Sequence, residues 1–272
     1  MKLKCKRFLP SLLLTFTGVA LSFSGGKSEA AVIDGRVFVQ PIQVCSDSGF
    51  TCAPTRLFEP ETDKIWGQAG IDIYFLPFRR LFNSAFLNID SNSEFSSLVS
   101  GLNTRRYENQ NVLNMWFVNG VFPSTTTVTY GLASLGGNGI TIARETVDQN
   151  RIDTVAHEIG HNLGLPHPNE SNNFYFNTDA NSPSNLMTSG INRLVPSSIN
   201  NIFPDGTRRS QLTLTQINQV RSSRFAFRAT NVGDSVASVP ESSMKIGLIG
   251  VGVLFLCVQL KDRNKRSNQT RH

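Results

Sequence analysis

Three of the four histidines in this 272-residue chain lie inside one eleven-residue window. The window has the pattern H-E-x-x-H-x-x-G-x-x-H and contains His157, Glu158, His161, Gly164 and His167. Residues four apart on a helix share a face, so His157 and His161 could bind one metal ion through their imidazole nitrogens. Glu158 would flank the ion, where it could take a proton from a water molecule. The pattern therefore indicates metal-assisted hydrolysis.

Gly164 is expected to end the helix, because glycine tolerates the left-handed conformation found at helix ends. Pro166 and Pro168 would prevent the helix from continuing. His167 would then return from the turn as a third ligand, and a fourth metal position would stay open, as in catalytic zinc sites. The alternative is a chance match of two solvated histidines. It does not account for the glycine or for the third histidine, since the only other one, His272, lies in a basic tail.

The residues around the first two histidines predict the helix that carries them. Apolar side chains recur there at helical spacing: Ile152, Val155, Ala156, Ile159 and Leu163. Either Asp148 or Asn150 is expected to cap the start of this helix. The helix would thus bury one face and hold its imidazoles on another.

The extended motif resembles the signature of the metzincin clan of zinc metallopeptidases, and it is most similar to matrixin-like members. The resemblance implies one catalytic Zn²⁺ bound by His157, His161 and His167, with Glu158 as the general base that activates a zinc-bound water. It also implies a methionine in a tight turn beneath the metal, for which Met187 is the candidate. The implied activity is that of a zinc metalloendopeptidase acting on proteins or peptides. Two alternatives stay open: an inactive surface-displayed binding or matrix protein, and a hydrolase of non-peptide amides.

The pattern of elements predicts one α+β domain, with an α/β-like order. Strands are expected at 36–44, 71–76, 111–118, 130–135 and 139–144, and helices at 59–69, near 94–99 and at 213–223. This order is similar to a metzincin domain, with a twisted mixed sheet of about five strands, an active-site helix and a small C-terminal subdomain ending in a helix. Residues 130–135 are expected at a sheet edge that could pair with an extended peptide, and 189–209 are expected to wall the pocket.

The N-terminal segment predicts export. Residues 1–30 combine a basic start, an apolar stretch at 8–23 and small residues near the end, as in a signal peptide that is removed. A retained membrane anchor is the alternative. In either case the peptidase-like domain, 31–230, is expected outside the cytoplasm, in the periplasm, at the cell surface or released.

The C-terminal segment predicts a sorting or anchoring function. A linker at 231–243 precedes an apolar stretch at 244–260 that could serve as a membrane span, and the basic tail 261–272 would be cytoplasmic. This order resembles the PEP-CTERM sorting signal of Gram-negative bacteria, with Ser242 where that signal usually has proline. The resemblance implies processing by an exosortase-type enzyme. A plain single-span anchor is the alternative.

The formal charge of +6 does not indicate nucleic-acid binding. Residues 1–30 and 241–272 carry eleven of the 26 Lys and Arg residues, whereas 31–240 carry fifteen basic and seventeen acidic residues. The excess of basic residues therefore belongs to the two targeting segments.

Cys45 and Cys52 are the two cysteines outside the predicted targeting segments. In an oxidising compartment they are expected to form a disulfide. A thiolate that caps the zinc as a latency switch is the alternative, but the propeptide motif that matrixins use for it is absent. Loops rich in Asn, Asp and Ser leave calcium binding open, without assigned residues.

Overall fold

Nine strands and five α-helices occur in the described residues, 32–124, 126–168 and 182–228, of this computed structural model. The strands are β1 (Gly35–Cys45), β2 (Ile71–Phe75), β3 (Arg79–Phe82), β4 (Asn88–Ile89), β5 (Val112–Val118), β6 (Gly120–Val121), β7 (Gly131–Ala133), β8 (Ile140–Ala143) and β9 (Phe227–Arg228). The helices are α1 (Glu59–Gly67), α2 (Asn92–Ser100), α3 (Arg144–Asp148), α4 (Thr154–Asn162) and α5 (Leu214–Arg221).

Seven strands form one mixed sheet, whose main path runs β2–β1–β5–β8–β7. The pairings from β2 to β8 along this path are parallel, whereas β7 is antiparallel to β8 and ends the path. β3 continues beside the second half of β1, and β9 pairs with its first residues. The prediction of a mixed α/β fold is confirmed, but the sheet has seven strands where about five were expected, and its edge strand is shorter than 130–135.

Strand β5 explains how the sheet can carry a core on both faces. All seven of its residues are buried, and side chains of successive strand residues point to opposite faces. Leu113, Met115 and Phe117 join the core that includes residues of α1 and α4. Trp116 and Val118 join the second core, which includes a residue of α2. The active-site helix α4 is thus packed on a sheet that is buried on both sides.

The start of α4 differs from the sequence prediction. Asp148 ends α3, and Asn150 has a φ of +50°, so neither residue caps α4. The helix begins at Thr154 after Asp153, whose carboxylate makes no capping hydrogen bond. Its oxygens instead accept from Ser210 Oγ at 3.0 Å and pair with the Arg193 guanidinium at 3.4 Å. A long-range buried ion pair has therefore taken the place of a local cap.

Helix α5 exposes an apolar side chain and buries a polar one. Leu214 is 78% exposed, whereas Gln216 is fully buried. The reason is a capping box at the start of the helix. The Thr213 hydroxyl accepts from the backbone N–H of Gln216, and the side-chain oxygen of Gln216 accepts from the backbone N–H of Thr213. This arrangement turns the glutamine side chain inwards.

Cys45 and Cys52 form a disulfide at the end of β1. The predicted signal peptide, linker, C-terminal span and basic tail all lie outside the described residues. None of the helices in the described part of the chain has the length and apolar character that a membrane crossing requires.

Asp63 in α1 gives the folded state a pH-dependent stability. Burial raises the pKa of its carboxyl to about 6, although the Ile73 N–H donates to it. In the unfolded chain the pKa of this carboxyl is about 3.9. Ionisation of Asp63 is therefore unfavourable only in the folded state, and the resulting loss of stability grows as the pH rises from 4 through 6. Asp63→Asn should therefore raise the free energy of unfolding at pH 8 by about 1 kcal/mol, allowing for partial exposure. Urea denaturation should show little change at pH 4, and an equal effect at both pH values would contradict this assignment.

Candidate metal centre

The structure brings the three predicted histidine ligands together. Nε2 of His167 lies 3.2 Å from Nε2 of His157 and 3.1 Å from Nε2 of His161. The ligand atoms of all three residues lie within 4.8 Å of one another. His157 is buried and the other two are half-buried. The site therefore offers three imidazole nitrogens to one point at the wall of a cleft.

Gly164 makes the turn that brings His167 back to α4. Its φ is +97°, a conformation that residues with a Cβ rarely adopt. The N–H of Gly164 donates to the carbonyl of His161, and the N–H of Leu165 donates to the carbonyl of Gly160. These bonds close the helix, so His167 faces the two histidines that precede the turn.

Two backbone carbonyls fix how the first two imidazoles are protonated. Nδ1 of His157 lies 2.7 Å from the Leu186 carbonyl oxygen, and Nδ1 of His161 lies 2.8 Å from that of Leu165. A carbonyl oxygen only accepts, so each Nδ1 must carry the proton and donate it. Each Nε2 of a neutral ring then presents a lone pair to the point where the three nitrogens meet. Hydrogen bonds of this kind commonly orient metal-binding histidines.

This donor set fits a metal cation. A single N–H on His167 Nε2 cannot point at both neighbouring lone pairs, whereas a cation where the nitrogens converge would attract all three. Burial lowers the pKa of His157 well below its usual value, and the charge of Arg193 adds to this effect. The ring is therefore neutral, which is the form that binds metals. Three imidazoles are a ligand set found in catalytic zinc sites.

Met187 packs directly beneath the helix that carries the histidines. It is fully buried, and its Sδ lies 2.5 Å from the place where a Cβ on residue 160 would be. The glycine at that position therefore lets the methionine approach the α4 backbone. Met187 therefore lies against the backbone of the helix that carries His157 and His161, and its role as the methionine of a Met-turn stays a prediction.

Two amide side chains, whose role was not predicted from the sequence, anchor the turn that holds Met187. Asn185 accepts from the Met187 N–H at 2.8 Å, and its side chain pairs with that of Gln216 through bonds of 2.8 and 3.1 Å. Helix α5 thereby fixes the turn whose Leu186 carbonyl orients His157. The capping-box pattern at the start of α5 was a visible signal for Gln216, but not for its partner.

Glu158 lies in a buried position against strand β7. The carboxyl group is so close to the strand that a Cβ on Gly131 would be 2.7 Å from its Oε1. Burial raises the pKa of Glu158 to about 8, and the charge of Arg193 acts in the opposite direction. A divalent cation nearby would also favour the carboxylate. The strand backbone therefore confines the group to the side of the cleft next to the histidines.

The cleft has a volume of about 500 Å³, and its wall contains the three predicted histidine ligands and Glu158. Strand β7 forms one side, and Gly190 and Arg193 contribute from the segment that was expected to wall the pocket. Arg151 and Thr154, near the start of α4, line it as well. Neither arginine was predicted from the sequence, because nothing in their local sequence distinguishes them from solvated surface residues.

A three-histidine centre with a buried glutamate beside it has the groups that metal-assisted hydrolysis requires. Residues 87–225 match the model of the metallopeptidase family M12B, reprolysin-like, and this range includes the histidines and Glu158. The chain belongs to this family. The matching family is reprolysin-like, so the closer likeness to matrixins stays a prediction, as does the PEP-CTERM resemblance. No curated protein matches the chain.

This chain is weakly similar to several solved structures. An archaemetzincin from Archaeoglobus fulgidus is 15% identical, with 67% of this chain and 99% of that chain covered and a TM-score of 0.35. A zinc-dependent peptidase from Methanocorpusculum labreanum is 12% identical, with 67% and 99% covered and a TM-score of 0.36. An archaemetzincin from Methanopyrus kandleri is 13% identical, with 68% and 94% covered and a TM-score of 0.37.

Removal of one imidazole tests the metal centre. His161→Ala should abolish stoichiometric zinc binding, because two ligands remain where three converge. Zinc per chain is measured by plasma mass spectrometry after dialysis against a metal-free buffer. His272→Ala, which alters the only histidine outside the motif, should retain the wild-type content. Equal zinc in the wild type and His161→Ala would rule out this ligand set.

A methyl group on strand β7 tests how Glu158 is positioned. Gly131→Ala should displace the Glu158 carboxylate and lower kcat by about 100-fold, since small misplacements of a catalytic group have effects of this size. Zinc content should stay at the wild-type level. The matched control is Gly67→Ala, where an added Cβ meets no atom within 4 Å. Unchanged kcat in Gly131→Ala would show that the strand does not confine the glutamate.

Proposed function

We propose that this protein is a zinc-dependent endopeptidase that acts outside the bacterial cytoplasm. The observation that carries the proposal is the convergence of three Nε2 atoms beside the buried carboxyl of Glu158. Membership of a metallopeptidase family supports hydrolysis of peptide bonds. The predicted signal peptide and the predicted sorting tail are the basis for the proposed location, with an exosortase-type enzyme as the expected partner at the tail.

His157, His161 and His167 would hold the zinc. Bound there, zinc supplies a Lewis acid that lowers the pKa of water and polarises a carbonyl group. The Leu186 and Leu165 carbonyls keep two of the Nε2 atoms free of protons, so these rings act as neutral ligands. With these three residues as its ligands, a bound zinc would keep a position for water, as in catalytic zinc centres.

Glu158 acts as the general base and then as the general acid. Its burial shifts its pKa towards neutrality, which is the range where one group can both take and return a proton efficiently. It takes the proton of the attacking water and returns it to the leaving amine. The contact with Gly131 keeps the carboxyl beside the histidines during both transfers.

Strand β7 would bind the peptide backbone by strand addition. Among the described residues, β7 pairs only with β8, and its residues line the cleft beside Glu158. An extended peptide that pairs with a sheet edge can continue on both sides of the bond to be cleaved. This mode of binding favours an endopeptidase over an enzyme that removes terminal residues.

Replacement of the base separates an enzyme from a binding protein. The purified chain should cleave casein, and a chelator should abolish this cleavage. Glu158→Ala should lower turnover by about 10²- to 10⁴-fold, as expected for loss of a general base, and should keep its zinc. Zinc binding without cleavage by the wild type would contradict the proposal and favour the inactive binding protein.

A further inference from the structure

The wall of the cleft contains three polar atoms without a hydrogen-bond partner among the described residues: Arg151 Nε, Arg193 Nε and Thr154 Oγ1. Thr154 is fully buried, and the Arg193 side chain is only 6% exposed. Buried polar atoms in proteins are nearly always paired. Three unpaired ones around the catalytic groups indicate that a bound ligand completes their hydrogen bonds.

The Arg151 guanidinium also forms no direct ion pair within the described part of the chain, although the charge of Asp153 acts on it from a greater distance. No ion pair joins its guanidinium to a carboxylate of the described residues, whereas Arg193 is paired with Asp153. Burial lowers the pKa of Arg151, and the charge of Arg193 lowers it further. A partly buried cation in this setting is stabilised by an anion that enters the cleft.

The orientation of Arg151 suits a carboxylate. Its guanidinium carbon lies 3.8 Å from the centroid of the Tyr130 ring, so the ring covers one face of the planar group. The N–H donors lie in the plane of the group and can bind both oxygens of a carboxylate. Among the described residues of the cleft wall, Glu158 has the only carboxylate, whereas Arg151 and Arg193 provide two guanidinium groups.

We propose that Arg151, together with Arg193 and Thr154, forms a subsite for a substrate carboxylate next to the cleaved bond. The carboxylate is that of an Asp or Glu side chain, because a peptide paired with β7 would run through the cleft. The C-terminal carboxylate of a short peptide is the other source of the same chemistry. The inference rests on the proposed function and adds a substrate class to it.

Matched peptides test the subsite in the wild-type protein. Alanine-rich host peptides carry Asp or Asn at the centre, and each is made with a C-terminal carboxylate or amide. The Asp peptide with a C-terminal amide should show a kcat/KM about 10- to 100-fold above its Asn counterpart, as expected for a charge-assisted hydrogen-bonded pair. The cleaved bond, located by mass spectrometry, should adjoin the Asp.

Two arginine variants assign the preference to Arg151. Arg151→Gln should abolish the preference for Asp while it retains zinc. The matched control is Arg56→Gln, because Arg56 is exposed and also stacks on an aromatic ring, that of Phe58, but does not line the cleft. The control should keep the wild-type preference. An equal loss in both variants would overturn the assignment.

Binding gives a readout that does not depend on turnover. In calorimetric titrations of zinc-loaded Glu158→Ala, the Asp peptide should bind about tenfold or more tightly than the Asn peptide, and Arg151→Gln should remove the difference. If the affinity depends on the C-terminal carboxylate instead of the Asp side chain, the subsite is supported and its ligand is the C-terminus of a peptide. Equal binding of all four peptides would overturn the subsite, even if all are cleaved. Carboxylate-dependent binding without any cleavage would instead overturn the proposed function alone.

Discussion

The site depends on two backbone carbonyls that accept the Nδ1 protons of His157 and His161. These bonds leave a lone pair on each Nε2, and both of these atoms lie about 3 Å from Nε2 of His167, an arrangement that a shared cation stabilises. The two carbonyls come from different parts of the chain: Leu165 belongs to the turn after α4, whereas Leu186 precedes Met187. The geometry of the metal centre is therefore coupled to two separate turns, and both must be formed before the ligands converge.

The Leu186 carbonyl also connects the metal centre to the charged wall of the cleft. Besides the His157 ring, it accepts from Nη1 of Arg193 at 3.3 Å, and this arginine is paired with the buried Asp153 at the start of α4. Breaking a buried ion pair by removing one partner is costly, because the remaining charge is left without compensation. The pair therefore ties the segment after Met187 to the active-site helix. The same residues that shape the substrate cleft thus hold the ligand geometry.

The features that were predicted correctly depend on residues close together in the sequence. The spacing from His157 to His167 specified a shared helix face, a glycine turn and a returning third imidazole, and the strand expected at 111–118 corresponds to β5. The missed features are long-range contacts. Asp153 pairs with a residue 40 positions away instead of capping its helix, and the Asn185 side chain meets Gln216 across 31 positions. A single sequence contains no signal for such pairs, so the arginines of the cleft and the anchor of the Met187 turn emerged only from the structure.

Zinc K-edge X-ray absorption of the purified full-length protein tests the central claim most directly. We expect one zinc ion per chain, with three imidazole nitrogens and one oxygen ligand at about 2.0–2.1 Å. The multiple-scattering signal should correspond to three imidazole rings, which His157, His161 and His167 supply. A spectrum with sulfur at about 2.3 Å, with two imidazoles or with four protein ligands and no open position would contradict a catalytic three-histidine centre.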